Sequence, residues 1–337
     1  MIRAVRATLR SLVAVLLEPS APPDALARAA ASLHGLLLRT SGLEDDPAAH
    51  RESTLPSGRA LSPFDAGRCA LDPVRTAVLL RGVRAAIAAA REHARGRRIE
   101  VLYAGCGPFA PLVLPLLVLE EAGDLRVTFL DVHVAAIAAL RRVVERLEVG
   151  DAVADALVCD AAADAPVRGT AVDVVVVEAM QRSLGHEPQV AIVRNLVPLL
   201  APHGVLVPER IRIDLVLSDP DVEIADGFAS ARAEAARVPV GTVFELSRWS
   251  ASAPLDGDGF LPPVVVTLPV PIGPRARPML FTRVDAFGAH TLATAASGLT
   301  VPEPLWRVPD LPAGSRLAFR YRLGSDPRLA WSSPAPP

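Results

Sequence analysis

The spacing of hydrophobic positions changes character twice along the chain. Over residues 1–40 apolar side chains recur at three- and four-residue steps, which predicts two amphipathic helices. Residues 44–67 carry Asp-Asp-Pro, Leu-Pro-Ser-Gly and Ser-Pro and predict loop. Helical spacing returns from Leu71 to Arg95. From Ile99 onward short apolar runs alternate with helical stretches. Strands are predicted at Ile99–Tyr103, Arg126–Leu130, Ala154–Cys159 and Val172–Val177, and a fifth begins at Val205–Val207. Between them, helices are predicted after the first strand, over Val134–Leu147 and over Pro188–Leu200, the last ended by His203-Gly204. This alternation predicts a mostly parallel sheet, and the β-branched run Val172–Val177 suits a strand buried on both faces. Beyond residue 210 the alternation stops. Strands Arg212–Leu217, Val264–Pro269, Met279–Val284 and Leu317–Tyr321 are separated by Pro- and Gly-rich turns, with one helix, Ile224–Arg237, among them. The expected organisation is a helical region over 1–95, a Rossmann-like α/β domain over 96–210, a β-rich domain over 211–331 and a disordered tail over 332–337.

Composition narrows the function. The 337 residues are 51% hydrophobic and 21% charged, which makes the chain globular. A net charge of −2 and 4% aromatics argue against a nucleic-acid partner. All 35 basic residues are Arg, which with the Ala and Pro content reads as GC-rich codon bias rather than a phosphate-binding surface. Cys69, Cys106 and Cys159 have no metal-ligand spacing and are odd in number, so free thiols in a reducing cytoplasm, without a metal, are expected. The Arg-bearing apolar segment Met1–Leu17 looks like a targeting peptide, but it lacks a small-residue cleavage site and runs into a second amphipathic helix, Pro23–Arg39. Val101–Leu119 is uncharged and nearly long enough to span a bilayer. Gly105, Gly107, Pro108, Pro111 and Pro115 break it into strand, loop and buried helix, so no membrane partner is expected.

The chemistry starts at the first strand of the α/β domain. Val101-Leu102-Tyr103-Ala104-Gly105-Cys106-Gly107-Pro108 reads as strand, G-x-G loop, helix. Such glycines let the backbone turn tightly and approach a ligand. Asp131 closes the second strand and Asp160 follows the third. Both therefore fall at the carboxyl edge, where one carboxylate can take the hydroxyls of a ribose and the other an adenine amino group. The loop also fits the dinucleotide fingerprint G-x-G-x-x-A with Asp131 at the expected distance, so a nicotinamide-dependent oxidoreductase stays open.

The fourth strand runs into Glu178-Ala179-Met180-Gln181-Arg182-Ser183-Leu184-Gly185-His186-Glu187. This segment resembles the double-glutamate loop of the protein arginine methyltransferase family, within the class I methyltransferases that use S-adenosylmethionine (SAM). Asp72-Pro73-Val74-Arg75-Thr76 and Gly204-Val205-Leu206-Val207-Pro208-Glu209-Arg210 extend the resemblance, which covers roughly residues 65–215 and marks the chain as a divergent, bacterial-type relative. The resemblance implies SAM as cofactor and a helical N-terminal lid over it. Arg75 would pair with its carboxylate, Tyr103, Gly105, Cys106 and Gly107 would lie along it, Asp131 would hold the ribose and Asp160 the adenine. Glu178 and Glu187 would be catalytic, clamping a cationic nitrogen, with Met180, Arg182 and His186 beside the acceptor. The sequence departs from the family at Tyr103, where an acidic residue is usual, and at Phe109 and Gln181, where glycines are usual. Arg182 adds a charge that can neutralise one glutamate, and the family's Thr-His-Trp loop is absent, His290-Thr291 being the nearest match. The expected activity is N-methylation of an amine or guanidine on a small molecule or peptide, by a chain able to form a homodimer. O- or C-methylation of a small metabolite and a non-catalytic SAM-binding role remain open beside it.

Overall fold

The computed structural model describes residues 2–119, 122–164, 171–225, 227–270, 275–305 and 314–333. Two helices, α1 (Ile2–Leu17) and α2 (Pro23–Ser41), pack on each other through Leu9, Val13, Leu16, Leu33 and Leu37, all buried. The next stretch is not the expected loop. It holds a hairpin of β1 (Ser53–Leu55) and β2 (Gly58–Ala60) and a short helix α3 (Pro63–Arg68). Strands of three residues are too short to show a period, and Ser62 with Pro63 is an N-cap followed by a first-turn proline: the Ser62 hydroxyl accepts from Asp65 N at 3.1 Å. Helix α4 (Pro73–Ala94) starts the same way, with Asp72 as its cap and Pro73 in its first turn.

The centre is a Rossmann-like α/β core. Five parallel strands, β3 (Ile99–Ala104), β4 (Leu125–Asp131), β5 (Val153–Val158), β6 (Val172–Val177) and β7 (Leu200–Val207), lie in the order β5-β4-β3-β6-β7. Helices α5 (Leu114–Leu119), α6 (Val134–Arg146) and α7 (Gln189–Leu196) connect them. Every residue of β6 is buried, Asp173 included, whose carboxylate takes two hydrogen bonds from Arg97 at 2.6 Å. The strand order reverses beside β3, which opens a crevice at the carboxyl ends of β3 and β6. His203-Gly204 does not end a helix. The helix stops at Leu196, a turn containing Pro198 follows, and both residues lie inside β7.

The β-rich part follows. Strands β8 (Arg210–Ser218), β9 (Val238–Ser247), β11 (Arg277–Phe287), β12 (His290–Leu292) and β13 (Glu303–Pro304) form one antiparallel sheet. Strands β10 (Val264–Thr267), β14 (Arg316–Arg322) and β15 (Arg328–Ser332) form another. The single helix expected over Ile224–Arg237 is two, α8 (Pro220–Ala225) and α9 (Ala231–Ala236), because Gly227 and Phe228 both take left-handed φ, which a helix cannot carry through. Strand β9 has no counterpart in the sequence reading. Pro239 and Gly241 mask it, and both fall where its pairing with β8 is bulged. Of the expected disordered tail, Ser332 belongs to β15 and residues 334–337 lie outside the described residues. No helix among the described residues is long and apolar enough to cross a membrane.

Candidate active site

The crevice is a cavity of about 400 Å³. Its floor is made by the ends of β3, β4 and β6. Gly105 and Gly107 both have left-handed φ, at +68° and +58°. At Gly105 a side chain would also collide: its Cβ would sit 2.7 Å from the Glu178 carbonyl, so only glycine lets the loop after β3 pass the loop after β6. Asp131 ties this floor together. Its carboxylate accepts from Gly107 N at 3.0 Å and from His133 N at 2.9 Å, and the His133 ring lies at 3.2 Å. Oδ2, which takes only the Gly107 bond, keeps acceptor capacity. Asp160 lines the same wall, its Oδ1 accepting from Ala162 N at 2.9 Å.

The far wall is the segment 178–187, and it is held from outside the sheet. Ser183, Leu184 and His186 all have positive φ without being glycine, a conformation that needs external support. Ser183 N donates to Thr282 Oγ1 on β11 at 2.9 Å, Tyr321 on β14 donates to the Leu184 carbonyl at 2.6 Å, and His186 N donates to the Pro327 carbonyl at 2.7 Å. The β1–β2 hairpin closes the remaining side, where Arg59 N donates to the His186 carbonyl at 2.7 Å. Gln189 fixes the root of the segment, bonding Ala179 N and the Val177 carbonyl.

Glu178 and Glu187 differ sharply. Glu178 Oε1 accepts from Arg75 Nε at 3.2 Å and Nη2 at 2.9 Å, and Oε2 accepts from the Tyr103 hydroxyl at 2.5 Å. Burial opposes the Arg75 charge, but the acidic groups around it, Glu178 foremost and then Cys69 and Glu187, together hold the guanidinium above its ordinary pKa. Tyr103 is fully buried, and burial together with Glu178 pushes its phenol well up. Glu187 is 6% exposed, and its Oε1 is buried without a hydrogen-bond partner among the described residues. Burial pushes its carboxyl above the usual glutamate range, against the pull of Gln181, Arg75 and Arg59.

No protein-family model matches this sequence, and no curated protein matches it. Among solved structures, the chain is similar to the Trypanosoma brucei PRMT1 enzyme-prozyme heterotetrameric complex with AdoHcy, at 14% identity and a TM-score of 0.47, over 76% of this chain and 86% of that chain.

Gly105, Cys106, Gly107, Asp131, Asp160, Arg75, Glu178, Met180, Arg182 and Glu187 all line the one cavity. Tyr103 and His186 do not. Tyr103 was expected along the cofactor and instead stands behind Glu178, because its side chain points into the core from β3. His186 was expected beside the acceptor and instead turns outward, with Nδ1 at 3.0 Å from Asp326 and its side chain 62% exposed. Arg182 carries a charge able to neutralise one glutamate. It is exposed and pairs with neither glutamate, and Arg75 takes that place. His290 lies in β12 and is not part of the cavity wall. The contribution of the β-rich part is Gly298 and Leu299, brought in because the Asp72 cap also accepts from Ser297 Oγ at 2.7 Å and Gly298 N at 3.1 Å. Sequence reasoning missed Leu299, Gln189 and Arg59. Only the Ser57-Gly58 turn pointed toward the hairpin that carries Arg59. All three cysteines are free and line the cavity. Burial raises their pKa values, that of Cys159 to about 11, so they are unreactive thiols at neutral pH. Among the described residues no cluster of His, Cys, Asp and Glu is arranged for a metal ion.

Proposed function

We propose that the chain binds SAM along the glycine loop and transfers its methyl group to a nitrogen on a small molecule or peptide. One observation carries this reading: the Gly105–Gly107 loop, two strand-end aspartates and a pair of unlike buried glutamates all open onto one cavity. The residues fit the cofactor. The left-handed glycine cradle allows close backbone approach, Asp131 retains acceptor capacity for a ribose, and Asp160 stands at the next strand end for an adenine amino group. Arg75 holds Glu178 through Nε and Nη2 only, which leaves the Nη1 side of its guanidinium for a carboxylate.

When bound, the cofactor supplies an electrophilic methyl on a sulfonium. The chain supplies orientation and charge. Glu178, fixed by Arg75 and Tyr103, presents a pre-set negative edge toward a nitrogen that gains positive charge as it reacts. Glu187 has an unpartnered oxygen and a carboxyl that burial makes a better proton acceptor than an ordinary glutamate. The segment 178–187 is pinned at several points, so the nitrogen can be aimed without ordering a loop at each turnover.

Calorimetry with SAM, S-adenosylhomocysteine and NAD tests the cofactor. Binding of the first two is expected, and binding of NAD alone would overturn the proposal in favour of an oxidoreductase. Transfer of labelled methyl is then compared in wild type, Glu178→Gln and Glu187→Gln, with SAM affinity measured separately. Near-normal turnover in both variants would remove the glutamates from the chemistry and shift the reaction to oxygen or carbon.

A further inference from the structure

We infer that the acceptor carries an anionic group, a carboxylate or a phosphate, beside the nitrogen that is methylated. The inference rests on the methyl-transfer reading above and deepens it. It comes from asking which charges around the cavity already have partners. Three guanidiniums line it, those of Arg59, Arg75 and Arg182. Arg75 is matched by Glu178 at 2.9 Å. The other two are not matched inside the cavity. Arg182 makes no side-chain hydrogen bond or ion pair among the described residues. Arg59 reaches only Glu52, at 3.6 Å, and both of those side chains are more than two-fifths exposed, where water screens such a pair. The acids of the cavity are committed elsewhere. Asp131 and Asp160 stand at the strand ends of the opposite wall. Asp72 accepts from Arg75 N at 3.0 Å, Ser297 Oγ at 2.7 Å and Gly298 N at 3.1 Å.

Both unmatched guanidiniums belong to the acceptor wall, and the backbone under each is fixed. Arg182 lies in the segment 178–187, beside Ser183, whose N is held by Thr282 Oγ1 at 2.9 Å. Arg59 stands on β2, and its own N donates to the His186 carbonyl at 2.7 Å. A single arginine turned to water carries no message about a ligand. Two that line one cavity from adjoining elements, without a counter-charge there, favour a ligand that brings the counter-charge. The flat donor edge of a guanidinium matches the paired oxygens of a carboxylate or phosphate. A purely cationic acceptor would meet like charge on this side as it entered. The wall therefore sorts the two ends of an acceptor: its nitrogen goes toward Glu178 and Glu187, its anion toward Arg59 and Arg182.

Calorimetry on the S-adenosylhomocysteine complex compares glycine, β-alanine and γ-aminobutyrate with methylamine, ethylamine and n-propylamine, each pair differing by one carboxylate. The matching aminoalkylphosphonates separate phosphate from carboxylate. At least one anionic member should bind about tenfold or more tighter than its amine, the scale of one charge-assisted hydrogen bond, and the preference should shrink as potassium chloride is added. Arg59→Gln and Arg182→Gln should each cut the preference severalfold, and the double variant should abolish it, in protein that still binds S-adenosylhomocysteine. Equal binding within every pair, tighter binding of the amines, no binding by any acid or phosphonate, or a preference that survives in the double variant would overturn the inference and leave methyl transfer intact. Failure of S-adenosylhomocysteine to bind the wild type would instead bring down the cofactor reading on which it stands.

Discussion

The two walls of the cavity are built by different means. The wall of the glycine loop, Asp131 and Asp160 comes from the ends of three neighbouring parallel strands, and its main hydrogen bonds join residues within about two dozen positions of one another. The wall of Glu178 to Glu187 takes its shape from residues far away: Arg75, Arg59, Thr282 and Tyr321. One wall is a property of the sheet topology; the other is a property of the whole chain closing on itself. The consequence is energetic. Damage to the first should show mainly in cofactor affinity, and damage to the second in stability and turnover.

The largest expected effect breaks the second wall at its centre. Arg75→Ala leaves the Glu178 carboxylate buried, 8% exposed, without its counter-charge. Removing one partner of such a pair costs about 3–5 kcal/mol, so a clear fall in the denaturation midpoint is expected; an unchanged midpoint would mean Glu178 finds other support. Next is the first wall. Asp131→Ala removes charge-assisted bonds of about 1.5–3 kcal/mol and should weaken SAM about tenfold or more by calorimetry, with a smaller change in stability. Equal losses in stability and affinity would blur the distinction between the walls. Tyr321→Phe deletes one hydroxyl bonded to the Leu184 carbonyl, 137 positions away, at a cost of about 1 kcal/mol. Turnover should drop while SAM affinity holds; a drop in affinity alone would show that the segment serves the cofactor.

The last prediction concerns sign more than size. Burial raises the Glu187 pKa in the folded state above the ordinary 4.5. The protonated form is therefore the one the fold prefers, and the stability this gives is full below pH 4.5 and lost as pH rises through the folded value. Glu187→Gln keeps the shape and cannot ionise. Its melting temperature should rise relative to wild type as pH climbs from 4.5 toward neutrality, and the difference should vanish in acid. A difference that does not depend on pH would mean Glu187 is not buried as a titrating group.

The same contrast explains what could be read from sequence. Five strands, their order of appearance and the glycine loop follow from local periodicity and from glycines at fixed offsets, so they are legible in one dimension. The two aspartates were legible because strand ends are. Placing Glu178 and Glu187 near each other required only their spacing. What held them could not be read. Nothing local says that Arg75 meets a carboxylate 103 positions on, or that Tyr103 turns into the core to meet the same group. Arg182 and His186 looked like site residues because they sit inside the segment; Arg182 does line the cavity, whereas His186, itself at positive φ, turns its side chain outward to Asp326. The β1–β2 hairpin and β9 were hidden by shortness and by Pro and Gly, and Leu299 arrives only through the cap of α4.

The contact between Tyr321 and the Leu184 carbonyl also has a meaning in time. A chain made from its N-terminus presents the strand order and the glycine loop once about 210 residues have emerged, but the brace on Leu184 only after residue 321, and the Pro327 carbonyl that receives His186 N later still. During synthesis the protein passes through a stage in which the glycine loop and its strand-end aspartates have emerged and the acid wall is unsupported. On the proposed reading, the groups that would hold a cofactor are made before the groups that would brace the acceptor wall.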